Sequence, residues 1–448
     1  MLQRNREQRG KGFWSTLTVW LMLAALTLSG CASWLEPFIP TRMETPPVPA
    51  TETPTAAAPG EPTATPEPVE PIPGVISLTL WVPPQFNPES DTPAGTLFKG
   101  RLDAFMEANP GVLINVRVKA ASGPGGLLDA LTASTAAAPR AVPSIVALNR
   151  PDLEQAALKS LILPLDGVST MVESADWYEY ARQSGRIQNS TFGLPFAGDA
   201  LMLVYRPAVI EPASLESWEG IFASNRVVIA PLADSQALLT LALYRSAGGQ
   251  IQDEQSRPVL QAEVLAPVLQ NYRDGIGLGS FPGWLTQLQT DGQAWQAFTE
   301  NQGDLVVTWG SNFLADLPPD ASIAPLPSMG SDPFTLASGW SWALTDNNPL
   351  TRDTSVRLLE FLSESEFLAG WTAATGYLPT RPTVLAGWEN QSLAPVLTDI
   401  ILSAEVRPPN EIITSLGPNV REAVLAVFNG SATSEQAAEA AAANVGTP

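Results

Sequence analysis

The chain has 448 residues, 45% of them apolar and only 15% charged, with a net charge of -21. That is room for two or three domains with a sizeable core, and an acidity that opposes phosphate backbones and anionic headgroups, so nucleic acid is excluded as a partner. With no histidine and one cysteine, a Ser-His-Asp triad, an intrachain disulfide and a multi-cysteine zinc site are excluded, and neither a metal nor a cofactor is expected.

Residues 1–12 are basic, residues 13–28 form an apolar run, and Leu28-Ser29-Gly30-Cys31 follows. A basic stretch, a short apolar stretch and a small-residue exit read as a secretory signal over 1–30. The run is short of the ~20 apolar residues of a stable membrane span. The sole cysteine at its end resembles the lipobox of bacterial lipoproteins. That resemblance implies cleavage after Gly30 and a lipid on Cys31, where two or more acyl chains would hold the protein to the membrane without basic residues. An uncleaved anchor helix with an incidental cysteine is the alternative. Residues 36–73 carry 12 prolines and almost no large apolar side chains. Such a stretch buries too little surface to fold, so 31–73 reads as a lipid-bearing cysteine and an extended tether.

The folded body starts near residue 75. Residues 75–82 read as a strand with Trp81 near its carboxyl end, stopped by Pro83-Pro84;. A helix over 95–108 presents Phe98, Leu102, Phe105 and Met106 on one face and ends at Asn109-Pro110-Gly111;. Val112, Ile114, Val116 and Val118 then alternate as a second strand;. Strand, helix, strand is a βαβ unit, which makes the pair parallel and places ligands beyond the carboxyl ends of the strands. Further on, 125–138 and 152–161 read as helices around a strand at 144–148. Ser122-Gly123-Pro124-Gly125-Gly126 lacks the Lys-Ser/Thr ending of a phosphate loop and reads as a plain loop;. Strands are expected at 201–205, 226–230, 304–308, 322–324 and 341–344, and clear helices at 235–246, 350–363 and 419–428. Thr433 with Gln436 forms a capping box that opens a last helix;. The pattern is α/β throughout.

The order of short signatures resembles the family 1 extracellular solute-binding proteins. It runs from Leu78-Thr79-Leu80-Trp81 and Phe105-Met106-Glu107-Ala108-Asn109-Pro110-Gly111 through Leu163-Pro164-Leu165-Asp166 and Phe192-Gly193-Leu194-Pro195-Phe196. It continues with Ser217-Trp218-Glu219, Ala297-Phe298, Trp309-Gly310, Ala324-Pro325-Leu326-Pro327 and Gly376-Tyr377-Leu378-Pro379-Thr380-Arg381. Arg206-Pro207 after Tyr205, and Phe192 in place of a tyrosine, depart from that family's usual pattern. The resemblance implies a two-lobe periplasmic-binding-protein-like fold with hinge strands and an interlobe cleft. It sets the first lobe at 75–196 plus 331–364 and the second at 197–330 plus 365–448. It also implies an extracytoplasmic, monomeric binding protein that hands a small polar ligand, a sugar above all, to the permease subunits of an ABC-type importer.

A sugar has an apolar C–H face that an aromatic ring covers and a hydroxyl rim that polar side chains serve. Trp81, Trp309, Trp340, Trp342 and Trp371 fall near expected strand ends or cleft segments. Each is otherwise a core residue, and Trp340 and Trp342, two apart, share one strand face. Arg150 and Asp152 follow the 144–148 strand and are placed to bond hydroxyls, although Asp152 is equally accounted for as a helix N-cap. Phe196 and Asp199 flank the first hinge crossing, Ser311 and Asn312 follow Trp309, and Tyr377 lies in the Gly-Tyr-Leu-Pro stretch. No catalytic residue is assigned. A surface glycosidase, which needs two carboxylates about 5–10 Å apart across a cleft, and a ligand sensor on the same fold remain alternatives.

Overall fold

The computed structural model describes residues 74–445, all within one unit, Glu70–Pro448. The signal, Cys31 and the tether lie outside the described residues. In chain order the elements are β1 (Ile76–Val82), α1 (Pro93–Ala108), β2 (Val112–Val118), α2 (Leu127–Ala137), β3 (Ile145–Asn149), α3 (Arg150–Leu158), α4 (Glu179–Ser184), β4 (Arg186–Ile187), β5 (Ser190–Thr191) and β6 (Gly193–Tyr205). There follow α5 (Trp218–Ala223), β7 (Val228–Ile229), α6 (Leu238–Ser246), α7 (Ala262–Gly277), α8 (Asp291–Thr299), β8 (Leu305–Trp309), α9 (Gly310–Asp316), β9 (Ser322–Ala324) and β10 (Thr335–Leu344). The chain ends in α10 (Arg352–Phe361), α11 (Ser365–Thr375), α12 (Pro382–Ala386), α13 (Ala394–Leu402), β11 (Ala404–Val406), α14 (Asn410–Phe428) and α15 (Ser434–Asn444).

β1 lies parallel to β2 along its whole length and to β3 at Leu80 and Trp81, as the βαβ pattern requires;. α1 begins ahead of the expected residue 95 because Thr92 caps it, accepting from the Gly95 amide at 3.0 Å, with Pro93 fitting the first turn;. α3 corrects the expected cap. Asn149, not Asp152, is the N-cap, its side-chain oxygen accepting from the Asp152 amide at 2.9 Å. Asp152 sits inside the first turn, where a carboxylate favours the positive end of the helix dipole.

The sheet order β2-β1-β3-β10-β6-β8-β7, with β11 beside β10 and β9 beside β6, turns on one strand. All 13 residues of β6 are buried. Over residues 193–200 it runs antiparallel to β10, and over 201–205 antiparallel to β8. One strand therefore closes one half of the sheet and opens the next. Only its second half was expected, since Gly193, Pro195 and Gly198 look like breakers. Proline is tolerated there because Pro195 has a strand partner, β10, on one side only; on the other side β6 is next paired at Gly198, with Leu378;. At the switch the buried Thr335 hydroxyl donates to the Leu201 carbonyl at 2.6 Å, occupying an acceptor close to where β6 changes partner;.

α14 runs from Asn410 straight through Pro418, where a start at 419 was expected. Proline removes one helical hydrogen bond, but the buried face of Ile412, Ile413, Leu416, Val420, Val424 and Val427 holds the helix together across it;. α15 opens with both bonds of the Thr433–Gln436 capping box, as expected. α11 packs on α1 and also touches α9.

Candidate ligand-binding cleft

A cleft holding about 730 Å³ of empty space opens where β6 and β10 cross between the halves of the sheet. Its lining includes Asn149 at the end of β3 and Trp309 at the end of β8, the carboxyl-end position expected of α/β ligand sites. Five residues singled out from the sequence meet there: Asp199, Trp309, Ser311, Trp340 and Tyr377.

The acidic side is built from two carboxylates. Asp199 projects from β6. It accepts from the Ser311 amide at 3.0 Å, the Ser311 hydroxyl at 2.5 Å and the Ala200 amide at 3.0 Å. Burial, reinforced by the charge of Asp291, pushes its carboxyl up to about 7 against the pull of those hydrogen bonds;. Asp291 stands in the first turn of α8, behind the Thr290–Gln293 capping box. It accepts from the Thr308 hydroxyl at 3.1 Å, the Trp309 amide at 3.2 Å and the Asn312 amide. Burial pushes it up to about 6. Asn312 also donates to the Thr308 hydroxyl at 2.9 Å. It thus stands behind Asp291 as a support and is not part of the lining.

The aromatic side is Trp340 from β10, Tyr377 and Trp309. Phe86 backs the first two, edge-on to Trp340 at 5.3 Å and to Tyr377 at 5.6 Å between ring centres. Tyr377 is held by its neighbours. Leu378 and Gly198 exchange both backbone hydrogen bonds at 2.8 Å, and the Tyr180 hydroxyl donates to the Pro379 carbonyl at 2.7 Å. Gly376 ends α11 at a φ of 74°, where a Cβ would strike the backbone of Ala315, so the turn that aims Tyr377 needs glycine;. Burial and the charge of Asp199 push the Tyr377 phenol up to about 12, partly offset by hydrogen bonding with Trp340 and Gln85.

The remaining candidates lie elsewhere. Trp81, 2% exposed, is enclosed near the end of a strand flanked on both sides by others, with Lys119 above its ring at 4.4 Å;. Phe196 and Trp342 stack on each other at 4.0 Å inside the first half of the sheet, and Trp371 packs against Phe196 at 5.5 Å. These rings are core. Asp152 lines a separate groove with Ser122, Asp129 and Lys159. Arg150 points behind the cleft and lines a cavity there.

Asn149, Gln236, Asp291 and Arg407 also line the cleft and were not anticipated. Arg407 is 5% exposed and donates to Gln236 and to Asn410, each at 3.0 Å. Burial lowers its guanidinium to about 10. Asp291 opens α8 behind the Thr290–Gln293 box, and nothing local in the sequence shows that its carboxylate reaches β8. Among the described residues no group of three or more His, Cys, Asp or Glu side chains is arranged to hold a metal.

The crossing strands and the cleft between them define a two-lobe α/β binding protein. The chain belongs to the family of bacterial extracellular solute-binding proteins, which it matches over residues 100–396, and is in that sense an extracytoplasmic binding protein rather than a member of an enzyme family. It is similar in fold to the cyclic alpha-maltosyl-1,6-maltose binding protein from Arthrobacter globiformis, at 19% identity and a TM-score of 0.68, over 83% of this chain and 98% of that one. It is also similar to maltose-bound MalE3 of T. maritima, at 17% identity and a TM-score of 0.64, over 83% and 99%. A third is the ABC transporter solute-binding protein from Agrobacterium radiobacter K84 in complex with ribitol, at 17% identity and a TM-score of 0.58, over 83% and 98%. No curated protein matches the chain significantly.

Proposed function

We propose that the cleft captures a carbohydrate for delivery to the permease subunits of an ABC-type importer, with the protein a monomer held to the membrane by lipid on Cys31. One observation carries this reading: three aromatic rings and two hydrogen-bonded carboxylates converge on one cleft at the strands shared by both halves of the sheet. Rings cover the C–H faces of a sugar, and carboxylates, Asn149, Gln236 and Arg407 serve its hydroxyls. The carboxylates are already oriented by amide and hydroxyl donors, so little ordering remains for the ligand to impose. The neighbours in fold that bind maltose, a cyclic maltosyl-maltose and ribitol support the same class of ligand. The lobes in this reading are 75–196 with 331–364 and 197–330 with 365–448. β6 and β10 are the hinge strands, and closure over the ligand is favoured by contacts made only when both lobes touch it.

A thermal-shift screen of the full chain against maltodextrins, other sugars, polyols, amino acids and metal ions tests it. A ligand at 100 times its dissociation constant adds about 2.7 kcal/mol to folding stability, and a carbohydrate gives the largest shift. A shift confined to amino acids or metals refutes the assignment. Release of reducing ends from a bound oligosaccharide would refute the binding-only role and favour a glycosidase.

A further inference from the structure

Behind the cleft, a separate cavity of about 650 Å³ empty space is lined by Arg150, Arg186, Arg245 and Arg407, with Gln183, Gln188 and Glu405. Four guanidiniums in one cavity stand out in a chain with 24 basic residues and a net charge of -21. Two glutamates accompany them. Glu405 pairs with Arg245 at 3.1 Å. Glu154 stands 3.9 Å from Arg150 and spends its oxygens on the Asn410 amide at 3.0 and 3.2 Å. The cluster thus keeps an excess of positive charge.

Arg150 and Arg407 are each more than nine-tenths buried, yet Nε and Nη1 of Arg150 and Nε of Arg407 meet no hydrogen-bond acceptor. Burial lowers the Arg407 guanidinium to about 10; the charge of Glu154 opposes that shift and the charge of Arg150 adds to it. Arg352, Arg381 and Arg421 also leave Nε unmet, but none of them lines this cavity, and Arg381 stands over the Trp177 ring at 3.7 Å;. Arg150 has Glu154 at 3.9 Å and Arg407 spends its two Nη groups on Asn410 and Gln236, which still leaves the three buried N–H groups named above without an acceptor. Burying like charges with unmet donors is costly unless an acceptor fills the space. Arg186, exposed and in no ion pair among the described residues, lines this cavity and also a second pocket that holds Asp166 and Glu173.

We propose that this rear cavity is a binding site for a small tetrahedral oxyanion, phosphate or sulfate, held by Arg150, Arg186, Arg245 and Arg407. Planar forked donors match the oxygens of such an ion, and several charge-assisted bonds close on it at once. The free ion is favoured over a lipid headgroup because the protein's overall charge opposes an anionic bilayer;. The site does not depend on what the cleft binds.

Isothermal titration of inorganic phosphate into the full chain, at ionic strength fixed with chloride, tests the proposal. One equivalent binds with a dissociation constant of about 0.1–1 mM. Arg186→Glu, at an exposed position without an ion pair, leaves the melting temperature in phosphate-free buffer unchanged and weakens phosphate about tenfold or more. Arg245→Lys keeps the charge but not the fork and weakens it less. Absence of phosphate binding in the wild type, or equal binding in wild type and Arg186→Glu, overturns the site. Co-sedimentation of a Cys31→Ser chain with phosphatidylglycerol vesicles distinguishes the source. No pelleting is expected at physiological salt, whereas pelleting lost in Arg186→Glu without free-phosphate binding would overturn the free-ion assignment.

Discussion

Trp340 and Trp342 sit two residues apart on β10, on the same face, and serve different ends of one aromatic stack. Phe98, Trp342 and Phe196 form its inner end, with ring centres 5.9 and 4.0 Å apart. Phe86 links Phe196 to Trp340 at 5.3 Å on each side, and Tyr377 continues it into the cleft. Strand alternation assigns a side chain to a face, but not to a depth along that face. Where the face leaves the cover of α1 and α11 it becomes cleft wall. The inner rings stabilise the fold that the outer rings use.

Four substitutions or titrations would break or sharpen that contrast. The largest effect is expected for Trp342→Ala, which removes a ring 1% exposed and should destabilise the protein by about 3–5 kcal/mol in urea unfolding. Carbohydrate affinity of the folded fraction should stay within about threefold; a collapse of affinity at unchanged stability would erase the distinction between the ends. Trp309→Ala removes a half-buried ring of the cleft. Affinity measured by calorimetry should fall about 10- to 100-fold, or roughly 1.4–2.8 kcal/mol, with a smaller loss of stability than at Trp342.

The third is a pH titration. Asp199, pushed up to about 7, keeps its proton in the folded state to a higher pH than it does unfolded. That contribution favours folding in acid and is lost as pH rises from the ordinary carboxylate range through about 7. Ligand binding has the opposite sign, because an ionised carboxylate is the stronger acceptor for sugar hydroxyls. Affinity should be about tenfold weaker at pH 6 than at pH 8, following the ionised fraction of a group with that pKa. Asp199→Asn should flatten both profiles; profiles unchanged by it would show that Asp199 is not the group responsible. The smallest effect is expected at a place remote from either end of the stack: Thr433→Ala breaks the α15 capping box and should lower stability by about 1 kcal/mol, with affinity untouched.

Much of the fold was legible because its signals are local. The alternation of Val112, Ile114, Val116 and Val118 yields β2, and Thr433 with Gln436 yields the start of α15. Proline and glycine misled where burial overrode them, in the first half of β6 and in α14 at Pro418. In the cleft, Trp309, Asp199 and Tyr377 could be read from their places at a strand end and in short signatures. Asp291, Gln236 and Arg407 could not, since each arrives from a separate element and only the packing of α8, α6 and the turn after β11 brings them to one space. Trp81 shows the converse error: a strand end is a ligand position only where nothing covers it.

β6 has one further consequence. Because a single unbroken run of 13 residues is hydrogen-bonded into both halves of the sheet, the halves cannot drift apart as beads on a string do. In the proposed closure the strand would turn at the torsions around Ala200 and Leu201, beside the bond from the Thr335 hydroxyl to the Leu201 carbonyl;. A stiff strand favours a fixed arc of travel, so the tempo at which cargo is released would be governed there, far from any atom that touches it.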